Sequence, residues 1–398
     1  MKIADRYLGI PLLYLIKLLL GLFQRPSGNE IEIRKILMIK LWGIGNLVMI
    51  IPLIRAVKKQ YPQADLYFLT LRGNEPLLRP VPSVNHLISF HPGGLFSTCF
   101  RLMKIVRTLK RHEFDLILDF EQFVKTTPII AALSGAKQTI GFKTEGQARS
   151  TLYNVKVPYR RDRHMSLAYG DIVRSAGIST DGIPPLEVPR LEHYAKEAEA
   201  FLASLPQGQG PLVVLHVGSG DNFPGRRWPA ESFGHLARRL VESLDARCVI
   251  TGTLPETPLA ARCEMAAGVP ITSAIGCFGI LTFIEFLARV DLLVTNDTAP
   301  AHIGSALGIP LIAFYGPNTP DLYGPLHLRS RAFYSPLPCS PCLTNLNAKT
   351  SRCRIPSCIL GITVDEVYVS AEALLSNKGP LRDMKAKGFG YHAKENLS

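Results

Sequence analysis

The chain has 398 residues, room for two ordinary domains and too many for one simple core. Lys+Arg 45 against Asp+Glu 32 gives a net charge of +13, with 47% apolar and 19% charged residues, so a disordered chain is excluded. No period of roughly 20–50 residues and no Gly/Pro register points to a solenoid or a fibre. The positive excess suits phosphate-bearing ligands or anionic lipid. Zinc-finger spacing, an aromatic RNA-binding motif and dense basic runs are all absent, so no nucleic-acid partner is expected.

Leu8 to Phe23 reads LGIPLLYLIKLLLGLF. This run is shorter than the about 20 residues a spanning helix needs, and Gln24, Arg25 and Pro26 supply no small-residue cleavage site. Three placements stay open. One is a helix in the lipid interface, with Lys2, Arg6, Lys17 and Arg25 near headgroups. The others are a helix docked on the protein's own surface and a true anchor. The first is the expectation, with Ser27 to Asn29 as a linker.

From Arg34 the pattern changes. KILMIKL (35–41) reads as a strand buried on both faces, followed by Gly43, Gly45 and a helix over about 46–61. DLYFLTL (65–71) and FDLILDF (114–120) are further strands, with a helix near 122–134. After a Gly/Pro break at about 204–211 the cycle restarts. Strands are read at 212–217, 247–251, 291–295 and 309–315, and helices from Pro229 to about Ser243 and near 257–267, 279–289 and 299–307. Two tandem Rossmann-like α/β units follow from this alternation. A last helix over Val364 to Ser376 closes the chain against one of them.

Three motifs sit at strand ends, where ligands bind in open parallel sheets. Lys40 to Asn46 (KLWGIGN) places Gly43 and Gly45 before a helix, but Val48 stands where a dinucleotide fingerprint has its third glycine. This disfavours an NAD enzyme. Gly218, Ser219 and Gly220 lead to Arg226-Arg227-Trp228-Pro229, a candidate phosphate clamp ahead of a helix. Thr295 to His302 (TNDTAPAH) joins a strand to a helix, with Asp297 or Thr298 as cap, Ala299 at the turn, Pro300 in the first turn and His302 one turn on. Each also has a plain structural reading: a tight turn, a solvated loop, or a cap with a core histidine.

Together these residues resemble glycosyltransferase family nine, the ADP-heptose:lipopolysaccharide heptosyltransferases. Lys40 to Asn46 and Pro52 to Lys58 match its strand–loop and P-x-x-x-A-V-K stretches, and Arg226 to Pro229 its basic W-P motif. Thr295 to His302, Ala306 to Pro310 and Tyr315 to Pro320 match the later ones, in order over about Lys35 to Ala373. The resemblance implies a GT-B fold, two Rossmann-like domains facing a central cleft. It implies inverting transfer without a required metal or cofactor, from a nucleotide-diphosphate sugar, an ADP-sugar first. The acceptor would be a lipopolysaccharide-type, lipid-linked or polysaccharide glycan. It implies an acceptor domain over 31–205 and a nucleotide-sugar domain over 206–338, flanked by 1–30, a Cys-rich 339–361 and a 362–398 helix and tail. Arg226 then takes the family's basic position at the donor phosphates, with Arg227 beside it. Asp297, Thr298 and His302 match the donor segment, and Glu256 an acid at the ribose, or otherwise a helix N-terminal acid.

The sequence departs from the family at Asn46, where the proposed catalytic base is an aspartate. A neutral amide cannot take the acceptor's proton. By topology Asp119 and Glu121, at the end of strand 114–120, are the replacements, Glu121 preferred, with Asn46 orienting the substrate. The alternative is a non-catalytic nucleotide-sugar-binding scaffold at the membrane. Asp119-Phe120-Glu121 superficially matches a D-x-D metal site, but the tandem units argue against that fold. Cys339-x2-Cys342-x10-Cys353-x4-Cys358 is looser than a zinc ribbon, so free thiols are expected over a metal site. Cys99, Cys248, Cys263 and Cys277 are scattered, as in a reducing compartment. The resulting expectation is a peripheral enzyme at the cytoplasmic face of a bacterial inner membrane, near an anionic surface.

Overall fold

A computed structural model describes residues 2–21, 32–180, 185–220, 223–344 and 351–376. Arg25, the linker Ser27 to Asn29 and the tail beyond Ser376 lie outside the described residues. The chain divides into two units, Met1–Pro185 and Leu186–Ser398.

The first unit runs α1 (Lys2–Gly21), β1 (Lys35–Ile39), α2 (Ile44–Gln60), β2 (Asp65–Leu71), α3 (Glu75–Leu78) and β3 (His86–Phe90). It continues through α4 (Leu95–His112), β4 (Leu116–Asp119), α5 (Thr126–Leu133), β5 (Gln138–Lys143), β6 (Val155–Pro158) and α6 (Met165–Arg174). Its strands pair in the order β3-β2-β1-β4-β5-β6, all parallel. Ile36 of β1 lies between Leu66 and Leu116. The run 35–41 is apolar throughout because β1 is central: Ile36, Leu37, Met38 and Ile39 are all fully buried. Strand pairing stops at Ile39, earlier than the apolar run.

The second unit runs α7 (Glu192–Ser204), β7 (Leu212–His216), α8 (Ala230–Leu244), β8 (Arg247–Gly252), α9 (Thr257–Ala267), β9 (Thr272–Ile275) and α10 (Ile280–Leu287). It continues through β10 (Leu292–Asn296), α11 (Ala299–Leu307), β11 (Leu311–Tyr315), α12 (Pro320–Tyr323), β12 (Ser330–Tyr334), α13 (Ser357–Leu360) and α14 (Val364–Ser376). The order β12-β11-β10-β7-β8-β9 is again parallel and repeats the first unit's winding. Trp228, stacked on Phe314 at 4.5 Å, centres its core with Phe233, Leu236 and Leu240 of α8. The last helix docks here: Val367, Tyr368, Ala371 and Leu374 of α14 pack into the same cluster.

The boundary at Pro185/Leu186 precedes the break expected at 205/206. α7 belongs to the second unit because Phe201 meets Phe278 and Phe286 edge-on. Arg190 also pairs with the buried Glu285 at 2.7 Å.

Candidate functional site

Both sheets are doubly wound, so each has one place where successive connections leave in opposite directions. That is where a crevice opens beyond the strand ends. In the first unit it lies between β1 and β4, in the second between β7 and β10. The sequence motifs fall on these two points.

At the first, Gly43 has φ 92°, and a Cβ there would sit 2.6 Å from the Asn46 amide nitrogen, so only glycine fits. Gly45 is buried in the first turn of α2. Asn46 is half-buried and donates Nδ2 to Trp42 O at 3.2 Å. At the second, Asn296 ties the two loops together. Its Nδ2 donates to Val217 O and Gly218 O, both at 3.0 Å, and its Oδ1 accepts Trp228 N–H at 2.8 Å. Thr298 caps α11 without a side-chain hydrogen bond, and Thr298 and Ala299 reach the surface. Asp297 is buried and accepts from Asn318 Nδ2 at 2.9 Å. His302 is buried with no partner for Nδ1 among the described residues, and burial pushes it down to about 4 despite Asp297. It is therefore a neutral hydrogen-bonding group at pH 7. Arg226 donates to Ser219 O, and its buried Nε also lacks a partner among the described residues. Arg227 reaches Ser219 Oγ at 3.0 Å and Gly220 O at 2.8 Å.

The family model for glycosyltransferase family 9 (heptosyltransferase) matches residues 102–351, which span both units. The chain belongs to this family. It is 26% identical over 312 residues to lipopolysaccharide heptosyltransferase 2 of Escherichia coli K12, covering 75% of this chain and 87% of that one. It is similar in fold to the family 9 glycosyl transferase of Veillonella parvula, with TM-score 0.73 and 20% identity, over 87% of this chain and 99% of that one. An E. coli heptosyltransferase, WaaC, solved with ADP-2-deoxy-2-fluoro heptose, aligns with TM-score 0.59 and 17% identity, over 85% of this chain and 99% of that one. As a family 9 member this protein is a glycosyltransferase, and the resemblance carried by its motifs extends to the family model and the relatives.

Against that background, three expected roles change. Glu121 is fully buried: Oε2 meets Lys40 Nζ at 3.1 Å, while Oε1 accepts the N–H groups of Leu41 at 2.8 Å and Trp42 at 3.0 Å. Lys40 also donates to Gln122 Oε1 at 3.1 Å. Burial pushes the Lys40 ammonium below its ordinary range, and Glu121 opposes that shift. Asp119 is equally buried, paired with Arg149 at 3.1 Å and bonded to the Tyr153 hydroxyl. Burial pushes its carboxyl up, against Arg149. Both carboxylates are fully buried and held by protein donors, a placement that argues against the proton-accepting role expected for one of them. In this family 9 chain Glu121 holds the Leu41–Trp42 turn, and Asp119 anchors Arg149.

Glu256 is the third. Its Oε1 accepts from Ser219 N at 3.0 Å and Gly220 N at 3.2 Å, and its Oε2 from Thr253 N at 2.8 Å and Thr253 Oγ1 at 2.9 Å. Burial pushes this carboxyl up, but the bonds from Thr253 and Gly220 outweigh it and hold it below the ordinary range. Its lone pairs are filled by protein, so a ribose contact does not fit. The helix N-terminal reading of Glu256 is the one observed, as a Thr253/Glu256 capping box. This also explains Gly218: a Cβ there would lie 2.1 Å from both Glu256 oxygens. Gly218→Ala is expected to lower unfolding stability by about 1–3 kcal/mol and to loosen the loop. Urea unfolding checks it, and an unchanged midpoint would remove the staple role from Glu256.

Sequence reasoning passed over Asn296, which sits inside the Thr295 to His302 motif and ties the end of β10 to the β7–α8 loop. Of the C-terminal thiols, Cys339 and Cys353 are exposed, Cys342 is partly exposed and Cys358 buried, pushed up to about 11 by burial. None of the four is in a disulfide, and among the described residues no group of three or more side chains is placed to hold a metal. Residues 345–350 of that segment lie outside the described residues.

Proposed function

We propose that the protein transfers a sugar, a heptose first, from an ADP-sugar to a lipopolysaccharide-type, lipid-linked glycan, with inversion and without a metal. The reading rests on the second unit's crevice. Two buried polar atoms without partners among the described residues carry it: Arg226 Nε on the β7–α8 loop that Asn296 holds, and His302 Nδ1 in the second turn of α11, whose N-terminus has no side-chain cap. A buried polar group left unpaired is unfavourable, so the pair points to a ligand with hydrogen-bonding groups of its own. The guanidinium of Arg226 and the N-terminus of α11 stabilise charge that builds on the departing diphosphate. Arg227, Asp297 and Thr298 complete the donor subsite. The E. coli relative solved with an ADP-sugar analogue supports adenine over other bases.

The first unit takes the acceptor near Gly43, Gly45 and Asn46. Asn46 uses Nδ2 on Trp42 O and offers Oδ1 to the acceptor hydroxyl. The acceptor's hydroxyl oxygen then attacks the anomeric carbon, the bond to the diphosphate breaks with its electron pair leaving on the nucleoside diphosphate, and the hydroxyl proton passes to water. The enzyme works peripherally at the cytoplasmic face of a bacterial inner membrane.

Thermal-shift titration tests this. ADP at a hundredfold excess over its Kd is expected to stabilise the protein by about 2.7 kcal/mol, and GDP, UDP, CMP and NAD at the same concentration to do so less. His302→Ala is expected to weaken ADP-sugar binding about tenfold with little change in the unliganded melting temperature. Because His302 is already neutral, donor affinity should not titrate between pH 5.5 and pH 8 through this group, and a wild-type affinity in the variant would sink the donor assignment.

A further inference from the structure

α1 is held to the first unit by a narrow stripe. Gly9, Leu13 and Ile16 are buried at a helical spacing, packed toward α5 and the helical turn at 149–152. Gly9 lies so close to the Lys125 stem that a Cβ would fall 2.4 Å from its Cδ. The opposite arc is apolar and in solvent: Leu12, Tyr14, Leu15, Leu18 and Leu19 are 42–67% exposed. At about 100° per residue these five form one continuous face, with Lys17 at its margin. Scattered exposed leucines need no explanation, but a contiguous face of this kind marks an interaction surface.

α4 also packs against α5. Right-handed crossovers put α4 and α5 on the same side of the sheet, opposite α2. The outer stripe of α4 continues from exposed Phe100 and Met103 into Lys104, Arg107, Lys110 and Arg111, all exposed. The helix carries no acidic residue, and none of these four cations has an ion-pair partner among the described residues. Large apolar side chains beside unneutralised cations are the chemistry of an anionic lipid interface. A second copy fits less well, because a two-fold contact through this face would bring the α4 cations of both copies together. Among the described residues no helix is long and apolar enough to cross a membrane.

We infer that the outer face of α1 and the cationic stripe of α4 form one docking surface for an anionic phospholipid bilayer, with α1 lying in the interface plane. The inference deepens the peripheral placement proposed above and is independent of the donor chemistry. Co-sedimentation of the full chain tests it, with vesicles of phosphatidylcholine alone or mixed with phosphatidylglycerol. Binding is expected only to the mixed vesicles and should weaken with salt. The double variants L15E/L18E and K104E/R107E are each expected to lower binding by roughly tenfold or more. Both pairs are exposed, so melting temperature and the ADP shift should stay at wild-type values; a lost ADP shift in wild type strikes the donor reading and leaves this one standing. Equal binding of wild type and both variants, or no binding by wild type, overturns the proposal. A wild-type dimer in vesicle-free buffer that L15E/L18E converts to monomer assigns the face to a second copy instead.

Discussion

Glu121→Gln is expected to destabilise the first unit by about 3–5 kcal/mol, the range for removing one member of a buried ion pair. The variant leaves Lys40 Nζ in a fully buried position facing an amide in place of a carboxylate. It also weakens the acceptor for the Leu41 and Trp42 N–H groups, which fix the turn leading to Gly43. Denaturant unfolding followed by tryptophan and far-UV signals checks the loss. The pH dependence separates this account from a catalytic one. Burial already holds Lys40 below its ordinary range, and Glu121 opposes that effect. Without Glu121 the folded chain holds the Lys40 proton less tightly still, while the unfolded chain binds it normally. Stability then rises with pH wherever the unfolded state carries the extra proton. The deficit relative to wild type should be largest near neutrality and shrink as pH climbs toward about 10.4, the ordinary lysine value. ADP should still bind, since the residues proposed for the donor lie in the second unit. A variant of wild-type stability that has lost only turnover would restore Glu121 as the base.

How far a sequence discloses such a site depends on whether the interaction is local. The helices over 257–267, 299–307 and 364–376 are legible to the residue because their caps and apolar spacing lie within them. The Thr253/Glu256 box is local too, and the helix N-terminal reading of Glu256 follows from it. Glu121 is different. A carboxylate one residue past a strand reads equally as a base or a clamp, and what decides is Lys40, 81 positions earlier. Asp119 depends in the same way on Arg149, 30 positions later. The domain boundary turns on Arg190 meeting Glu285, 95 positions apart. β3 and α4 escaped notice because β3 is half exposed and α4 turns a cationic stripe outward, so neither shows a clear apolar run. The two crevices were legible because both lie at strand ends joined by short glycine-bearing loops.

With Glu121 and Asp119 committed to structure, Asn46 becomes the decisive residue, and Asn46→Asp is expected to raise kcat about 10²–10⁴-fold on a soluble acceptor. The position is the third residue of α2, where the positive end of the helix favours a carboxylate. It is half-buried, the first turn of α2 holds no other acid, and the nearby Glu121 carboxylate is already paired with Lys40. The variant gives up the Asn46 Nδ2 bond to Trp42 O, a loss of about 0.5–1.5 kcal/mol that folding should tolerate. In exchange the acceptor hydroxyl meets a group that can take its proton, where the amide can only accept a hydrogen bond. The gain should fall away as the pH drops through the ordinary carboxylate range near about 3.9, and ADP affinity should not move. Asn46→Ala, which removes the orienting oxygen without adding a base, should instead lower kcat. An unchanged kcat in Asn46→Asp, with the variant folded and ADP bound normally, would mean that the acceptor hydroxyl does not sit at this loop.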